Sequence, residues 1–503
     1  VREIPALSLE AGGAPLDPAE LRALVAVRVQ QRLSLPAQCE LTFADPPGPL
    51  ATAGRLLPGL ALRIAVRGQR DPLFDGEITA VEQVYGPARE REIRVRGYDL
   101  LHRLRKRQSP RAHVQVTPAD LARELAADLG VTVETADSGP LWPHLIQHQQ
   151  SDLELLVQLA ERCGLYLTLQ AGTLHLITLE GHGEALPLEL GRTLLEARVE
   201  LNGDPAVREV AATGWDSARV EVHTGRSTSA RLGREVSAEV LPQDVGGDGS
   251  RSLLNERTPD DRHAEALAQA ELDRRLAREV TLWGVAEGDT RLRPGAPLTV
   301  TGLADTLTGR YVITTATHTL DERMGYVVEF NTAPPQPAAR ALSAVVAPAV
   351  VSSVDDPDGL GRVRVTLPTY GDVESDWLCV LVPGAGSGKG LMALPDAGDQ
   401  VLVLLTHDDP GEGVVLGGLY GAGGWPDTGI EGGAVRRYTL LTPGGQRIRL
   451  DDAGQAIRVE NELGSFVELA PDKVRLHAAT DLELEAPGRK VVIRGQTIDF
   501  ERG

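Results

Sequence analysis

Across residues 1–110, apolar and polar positions alternate in short blocks separated by turn residues. ALVAVRVQQRL (23–33), AQCELTFAD (37–45), LALRIAVRG (60–68), DGEITAVEQVYG (75–86) and REIRVRGYDLL (91–101) each read as a strand with one buried face. Strands so closely spaced predict antiparallel neighbours and a barrel-like lobe. The period then lengthens. In TPADLARELAADLG (117–130), Leu121, Leu125 and Leu129 form a helical stripe, with Thr117 as N-cap, Pro118 in the first turn and Gly130 past the end. SDLELLVQLAERCG (151–164) opens with a capping box, Ser151 and Glu154, and Asp152 sits where a carboxylate meets the positive end of the helix dipole. Its predicted buried face is Leu153, Leu156, Leu159, Ala160 and Cys163, and the strand pair YLTLQAGTLHLITL (166–179) completes an α/β insert spanning about residues 111–185.

Strands resume from 193 to 240. A third capped helix, 258–279, leads into strands within 293–332 and completes a second β-rich lobe of a domain covering 1–332. The Pro/Ala-rich stretch 333–344 reads as a linker. Residues 345–421 hold about five short strands: one in DPDGLGRVRVTLP (356–368), one in SDWLCVLVP (375–383), and others in 390–421, the first beginning at Leu391. That density suits a small OB-like barrel.

After a connector, 422–439, the tail 440–503 carries a repeat of apolar pairs separated by one residue: Ile448/Leu450, Ile457/Val459, Val467/Leu469, Val474/Leu476, Leu482/Leu484, Val491/Ile493 and Ile498/Phe500. The steps between pairs are 9, 10, 7, 8, 9 and 7 residues, and the residues between the paired positions are mostly charged. Strands this short bury two side chains on one face, so one chain of them encloses no core. Three chains wound into a triangular prism do, with the pairs inside and the charges outside. The predicted fold is therefore mainly β with a small α/β insert: two β-barrel-like lobes, an OB-fold barrel and a C-terminal intertwined trimeric β-helix or prism.

Composition narrows the function classes. A net charge of −20 opposes binding to a phosphate backbone; basic clusters such as HRLRKRQSPR (102–111) are surrounded by acidic segments, and that run reads as a strand end that is solvated or faces protein. Cys39, Cys163 and Cys379 are far apart and odd in number, which predicts neither a disulfide framework nor a C-x-x-C metal site. VREIPALSLEAGG has no signal-peptide core, and the longest apolar stretch, 341–354, is short for a membrane span and broken by Pro348. The expectation is a protein made in the cytoplasm.

Candidate chemistry is sparse. GSGK (386–389) fails as a phosphate loop, because Gly390 stands where a magnesium-binding hydroxyl is needed and Pro383 where the first glycine is needed. It also fails as a nucleophile elbow, since Ala385 precedes Ser387 at the required glycine. It reads as a turn. His144 and His148 are spaced i, i+4 but lie in an extended stretch without the glutamate of a zinc-protease motif. Asp451 and Asp452 are adjacent on a strand, so their side chains point to opposite faces, and a turn role fits better than a glycosidase pair. No catalytic residue, cofactor or metal is expected.

Three stretches together resemble the VgrG and phage tail-spike family, also described as late-control D or baseplate hub proteins. SDLELLVQLAERCGLYLTLQAGTLHL (151–176) is similar to its hub segment. DPDGLGRVRVTLP, GLMALPDAGDQVLV and DPGEGVVLGGLYG follow its OB-domain pattern in order. DLELEAPGRKVVI (481–493) resembles its needle repeat. The resemblance implies a structural homotrimer at the tip of a contractile injection machine, where the hub adapts a sixfold tube to a membrane-piercing needle. Implied partners are inner tube and baseplate proteins, a PAAR-type tip protein and effector cargo, with transient membrane contact and no nucleic acid. Only 421–439 separates barrel from shaft, which leaves no room for a lysozyme domain, and no toxin domain is expected after Gly503. The short shaft favours an extracellular injection system or phage-tail-like particle over a phage tail or type VI spike. Alternatives are a spike that hydrolyses envelope glycans and a trimeric carbohydrate-binding adhesin, which would not need the hub lobes.

Overall fold

The computed structural model describes residues 7–51, 54–87, 90–216, 221–337, 344–406, 411–421 and 424–501. Half of the predicted linker and one end of the connector thus lie outside the described residues. The chain divides into two units, Val1–Leu419 and Tyr420–Gly503.

In the first unit, both β-rich lobes are built on one eleven-stranded antiparallel sheet. The strands read from the first 110 residues form at Leu24–Arg32, Leu35–Ala44, Ala61–Val66, Phe74–Tyr85 and Arg91–Tyr98. The second lobe contributes Leu194–Leu201, Val280–Glu287, Thr315–Asp321 and Gly325–Asn331. The lobes meet where Leu24–Arg32 pairs with Thr315–Asp321, with Val29 opposite His318 and Val27 opposite Leu320. Alternation sends one face inward, and Val27, Val29, Leu41, Ile64 and Val95 share a core with Leu282, Ala316, Val328 and Phe330.

The α/β insert has its own core, in which the predicted helix faces, including Leu121, Leu125, Leu153, Leu156, Leu159 and Cys163, are buried together. The expected capping box forms, with the Glu154 carboxylate accepting from Ser151 N–H at 2.8 Å, and Thr117, expected as an N-cap, forms a second box, its hydroxyl accepting from Asp120 N–H at 3.1 Å. Asp152 does more than meet the dipole. Its buried carboxylate accepts from Gln147 Nε2 at 2.9 Å and from Arg111 at 3.2 Å, tying the helix start to two strands. The third helix, Asp261–Glu279, rides on the sheet of Glu209–Asp216 and Glu221–Ser227 through Ala264, Ala268 and Leu272. The approach is so close that a Cβ at Gly225 would lie 2.0 Å from the Glu265 backbone nitrogen.

Four expectations are corrected. HRLRKRQSPR is not a strand end; Leu100–Lys106 is a 3₁₀ helix capped by Asp99, and its neighbours Arg103 and Arg107 pair with Glu77 and Asp128. Strands do not run through 228–240, where the chain follows the other elements without a ladder of its own. In 375–383 only Cys379–Val380 is a strand, and none begins at Leu391; Leu391, Met392 and Leu394 are exposed there without strand partners.

Six strands, including Val345–Ser353, Arg364–Leu367, Gln400–Leu405 and Gly413–Gly418, make the barrel of residues 345–421. A bridge between Val363 and Leu378 brings its two ends together around Val351, Val365, Val401, Val403 and Val415. DPDGLGR is the stitched turn entering it: Asp356 accepts from the backbone N–H groups of Asp358, Leu360 and Arg362 and from the Arg362 guanidinium at 2.7 Å. Those bonds favour the charged carboxylate and hold it well below the usual range. GSGK is a turn, with Gly386 and Lys389 exchanging backbone hydrogen bonds of 3.2 Å.

At the seam between the lobes, burial pushes the fully buried His318 imidazole down to about 4, and its Nδ1 lies 3.0 Å from the Tyr326 hydroxyl. An unfolded histidine takes its proton near pH ~6.5. Between that pH and about 4 the unfolded state binds more protons, so stability falls as the solution is acidified through the window. The loss attributable to His318 is on the order of 3 kcal/mol at its lower end. Burial also lowers His102, His175, His182 and His263. Denaturant unfolding of His318→Gln between pH 7 and pH 4.5 is therefore expected to show a shallower, not absent, acid dependence than wild type; an unchanged slope would count against the assignment.

Candidate assembly interface

The second unit is a five-stranded antiparallel meander, Arg437–Leu441, Arg447–Asp451, Ala456–Glu460, Phe466–Leu469 and Val474–His477. Its register sets the apolar pairs side by side. Ile448 faces Val459, Leu450 faces Ile457, Val459 faces Val467, Ile457 faces Leu469, Val467 faces Leu476 and Leu469 faces Val474. With side chains alternating between faces, these eight residues form one continuous apolar surface. Tyr438 and Leu440 extend it, opposite Leu450 and Ile448. That pair was missed in the sequence because it lies at the connector boundary, although RYTLL carries the same alternation.

The opposite face is polar and better covered. Arg447 pairs with Glu460 at 3.1 Å, and Arg458 with Glu460 at 2.6 Å and Glu468 at 3.4 Å. The Arg458 guanidinium also sits 3.8 Å from the Phe466 ring centre. In the single chain the usual burial is thus reversed. The charged side chains cover one another, whereas the eight paired apolar residues from Ile448 to Leu476 are 41 to 71 % exposed. Large apolar side chains left bare in one contiguous surface mark a site of association.

The last three predicted pairs are not in strands. Leu482, Leu484, Val491, Ile493, Ile498 and Phe500 are all exposed. Among the described residues of 480–501, the backbone–backbone hydrogen bond that forms joins Arg489 N–H to the Ala486 carbonyl. A ladder needs a neighbouring strand, and a single chain offers these units none.

The residues weighed for chemistry are placed apart from one another. His144 lies in the strand Trp142–Gln147 and His148 just beyond it, against Tyr370. Four extended residues span about 13 Å, too far for one ion to be shared. Asp451 accepts from Gly454 N–H at 2.9 Å, closing the turn between strands, and Asp452 N–H donates to the Arg436 carbonyl. Burial pushes the Cys163 thiol up to about 12 and the Cys39 thiol higher, which disfavours the thiolate form. Among the described residues, no helix is long and apolar enough to cross a membrane.

Two family descriptions match the chain: an Alg8 N-terminal domain over residues 24–322, and a type VI secretion system/phage-baseplate injector OB domain over residues 347–420. The first description names no activity. No curated protein matches. Among solved structures, the chain is similar to the E. coli c3393 protein, described as a type VI secretion component resembling the T4 phage tail proteins gp27 and gp5. That alignment has 14 % identity and a TM-score of 0.55, and covers 82 % of this chain and 99 % of the other. It is also similar to a chain of the Francisella PdpA-VgrG complex in its half-lidded form, at 8 % identity and a TM-score of 0.57, covering 95 % and 89 %. The lidless form of the complex aligns at 9 % identity and a TM-score of 0.56, covering 94 % and 99 %. At such identities the likeness is one of fold. The chain belongs to the Alg8 N-terminal domain family over residues 24–322, matches the injector OB domain over residues 347–420, and has a VgrG-like fold.

Proposed function

We propose that three copies of this chain form the hub and spike at the tip of a contractile injection machine. In this reading residues 1–332 are the hub, 333–344 a linker, 345–421 the OB barrel, 422–439 a connector and 440–503 the needle. The observation that carries it is the bare apolar face of the second unit, continued by three apolar pairs with no strand of their own. Equivalent strands of two further copies supply both missing things: an apolar surface to pack against and backbone partners for 480–501. Covering one such half-exposed side chain is worth on the order of 1 kcal/mol, so the whole face gives a strong bias toward assembly.

The role is mechanical. Sheath contraction drives tube and spike through a target envelope, and the spike contributes stiffness, not catalysis. Its partners are the inner tube, the baseplate and a small PAAR-type tip protein held near Ile498 and Phe500, with effector cargo carried along. Support for the adhesin alternative is weaker, because it does not account for a domain of this size joined to an injector barrel.

The native mass tests the assembly. Three chains of 53.7 kDa give a species of about 160 kDa, and a monomer by sedimentation at micromolar concentration would overturn the reading. Deleting residues 440–503 is expected to weaken the trimer.

Within the needle the two faces should respond differently. Ile457→Asp or Leu476→Asp places three carboxylates near one axis, each at several kcal/mol unless protonated, and trimer yield should collapse. Arg458→Ser removes partly exposed ion pairs worth up to about 1 kcal/mol and should leave the trimer intact. Equal losses in the two sets would reverse the assignment of faces.

Deleting residues 490–503 is expected to release a co-purifying tip protein and reduce delivery while particles still assemble. Undiminished delivery, or strong envelope-lytic activity of the isolated spike, would refute the mechanical role.

A further inference from the structure

Away from the needle, a hairpin in the second lobe gathers three metal-ligating side chains. Glu209–Asp216 and Glu221–Ser227 are antiparallel, with Asp216 opposite Glu221 and Gly214 opposite His223. That register puts Asp216, Glu221 and His223 on one face. His223 Nε2 lies 3.9 Å from a carboxylate oxygen of Asp216 and 3.9 Å from one of Glu221, and one donor atom from each of the three residues falls within 4.8 Å of the others.

The histidine itself is poised for a ligand. Its side chain is 8 % exposed, and its Nε2 is buried with no hydrogen-bond partner. Its other nitrogen, Nδ1, is 3.3 Å from Asp261, whose carboxylate is fixed by Thr224 N–H at 2.9 Å. A proton on Nδ1 directed at Asp261 leaves the Nε2 lone pair facing the two carboxylates. An imidazole oriented by one carboxylate, with its free lone pair turned toward further ligands, is how histidines are held at metal centres.

We propose that Asp216, Glu221 and His223 bind a divalent transition-metal ion of the zinc class. One imidazole and two carboxylates make a mixed N/O donor set, and three protein ligands leave a fourth tetrahedral position for water. Ligand bonds of about 2.0–2.2 Å put neighbouring donors roughly 3.4 Å apart, within reach of small side-chain rotations from the 3.9 Å observed. Both carboxylates also hold other interactions, with which the ion competes. Through His223 and Asp261 the ion would pin the hairpin to the start of the helix Asp261–Glu279, a structural role within the hub.

The test is zinc chloride titrated into the full chain after chelator treatment, followed by calorimetry. Wild type is expected to take up one zinc per chain at this site, and Glu221→Gln and His223→Gln each to weaken that binding at least tenfold. Glu221 is about half exposed, so its isosteric amide keeps the fold and makes the comparison fair even where the His223 variant folds poorly. Absence of saturable zinc binding to wild type, or wild-type affinity in the Glu221→Gln protein, would overturn the proposal.

Discussion

The two-lobed sheet depends on one strand pairing. Leu24–Arg32 and Thr315–Asp321 are separated by most of the domain, yet their antiparallel ladder makes a single sheet of two lobes. Contacts so distant in sequence are slow to form, because chain entropy is lost before they are rewarded. The α/β insert, with its own core and paired capping boxes, is a local unit that can form first and shorten the effective loop. Val27, Val29, Ala316 and Leu320 on the inner side of the seam, with neutral His318 among them, then bind the lobes into one core.

A second junction joins the lobes to the barrel. Arg257, almost fully buried, places its guanidinium 2.9 Å from Glu412 of the barrel and 5.1 Å from the Trp142 ring centre of the insert. It also donates to the His144 carbonyl at 3.1 Å. One planar, permanently charged group thus meets an acidic, an aromatic and a carbonyl partner from different parts of the chain, a combination that lysine could not reproduce.

The second unit follows the opposite logic. In the first unit, alternation sends apolar residues into a core that the same chain closes. In the second unit the strands alternate as well, but the eight paired apolar residues remain exposed. Its charged face is tied together by Arg447, Arg458, Glu460 and Glu468, while the apolar face stays open to solvent in the single chain. A chain that folds most of itself and leaves one face unfinished is suited to an assembly that completes it.

Much of this was legible in the residues. Periodicity and caps located the helices at 117–130 and 151–164 and their buried leucines, because a helix stripe and an N-cap are local properties. The apolar pairs of the tail located its strands from Ile448 to Leu476, because the residue between each pair there is charged: Arg449, Arg458, Glu468 and Arg475. Where sequence reading fell short, distant partners decided. Leu100–Lys106 is a 3₁₀ turn because Asp99 caps it and Glu77 lies across from its arginines. The segment around Leu391 and the pairs after His477 look like strands but find no neighbour within one chain. The joining of two lobes in one sheet, and the meeting of Asp216, Glu221, His223 and Asp261, have no local signature at all. Alternation tells which side of a strand is apolar; only the tertiary structure decides which strand lies beside it, because ladder hydrogen bonds are made between segments whose separation along the chain leaves no mark on either.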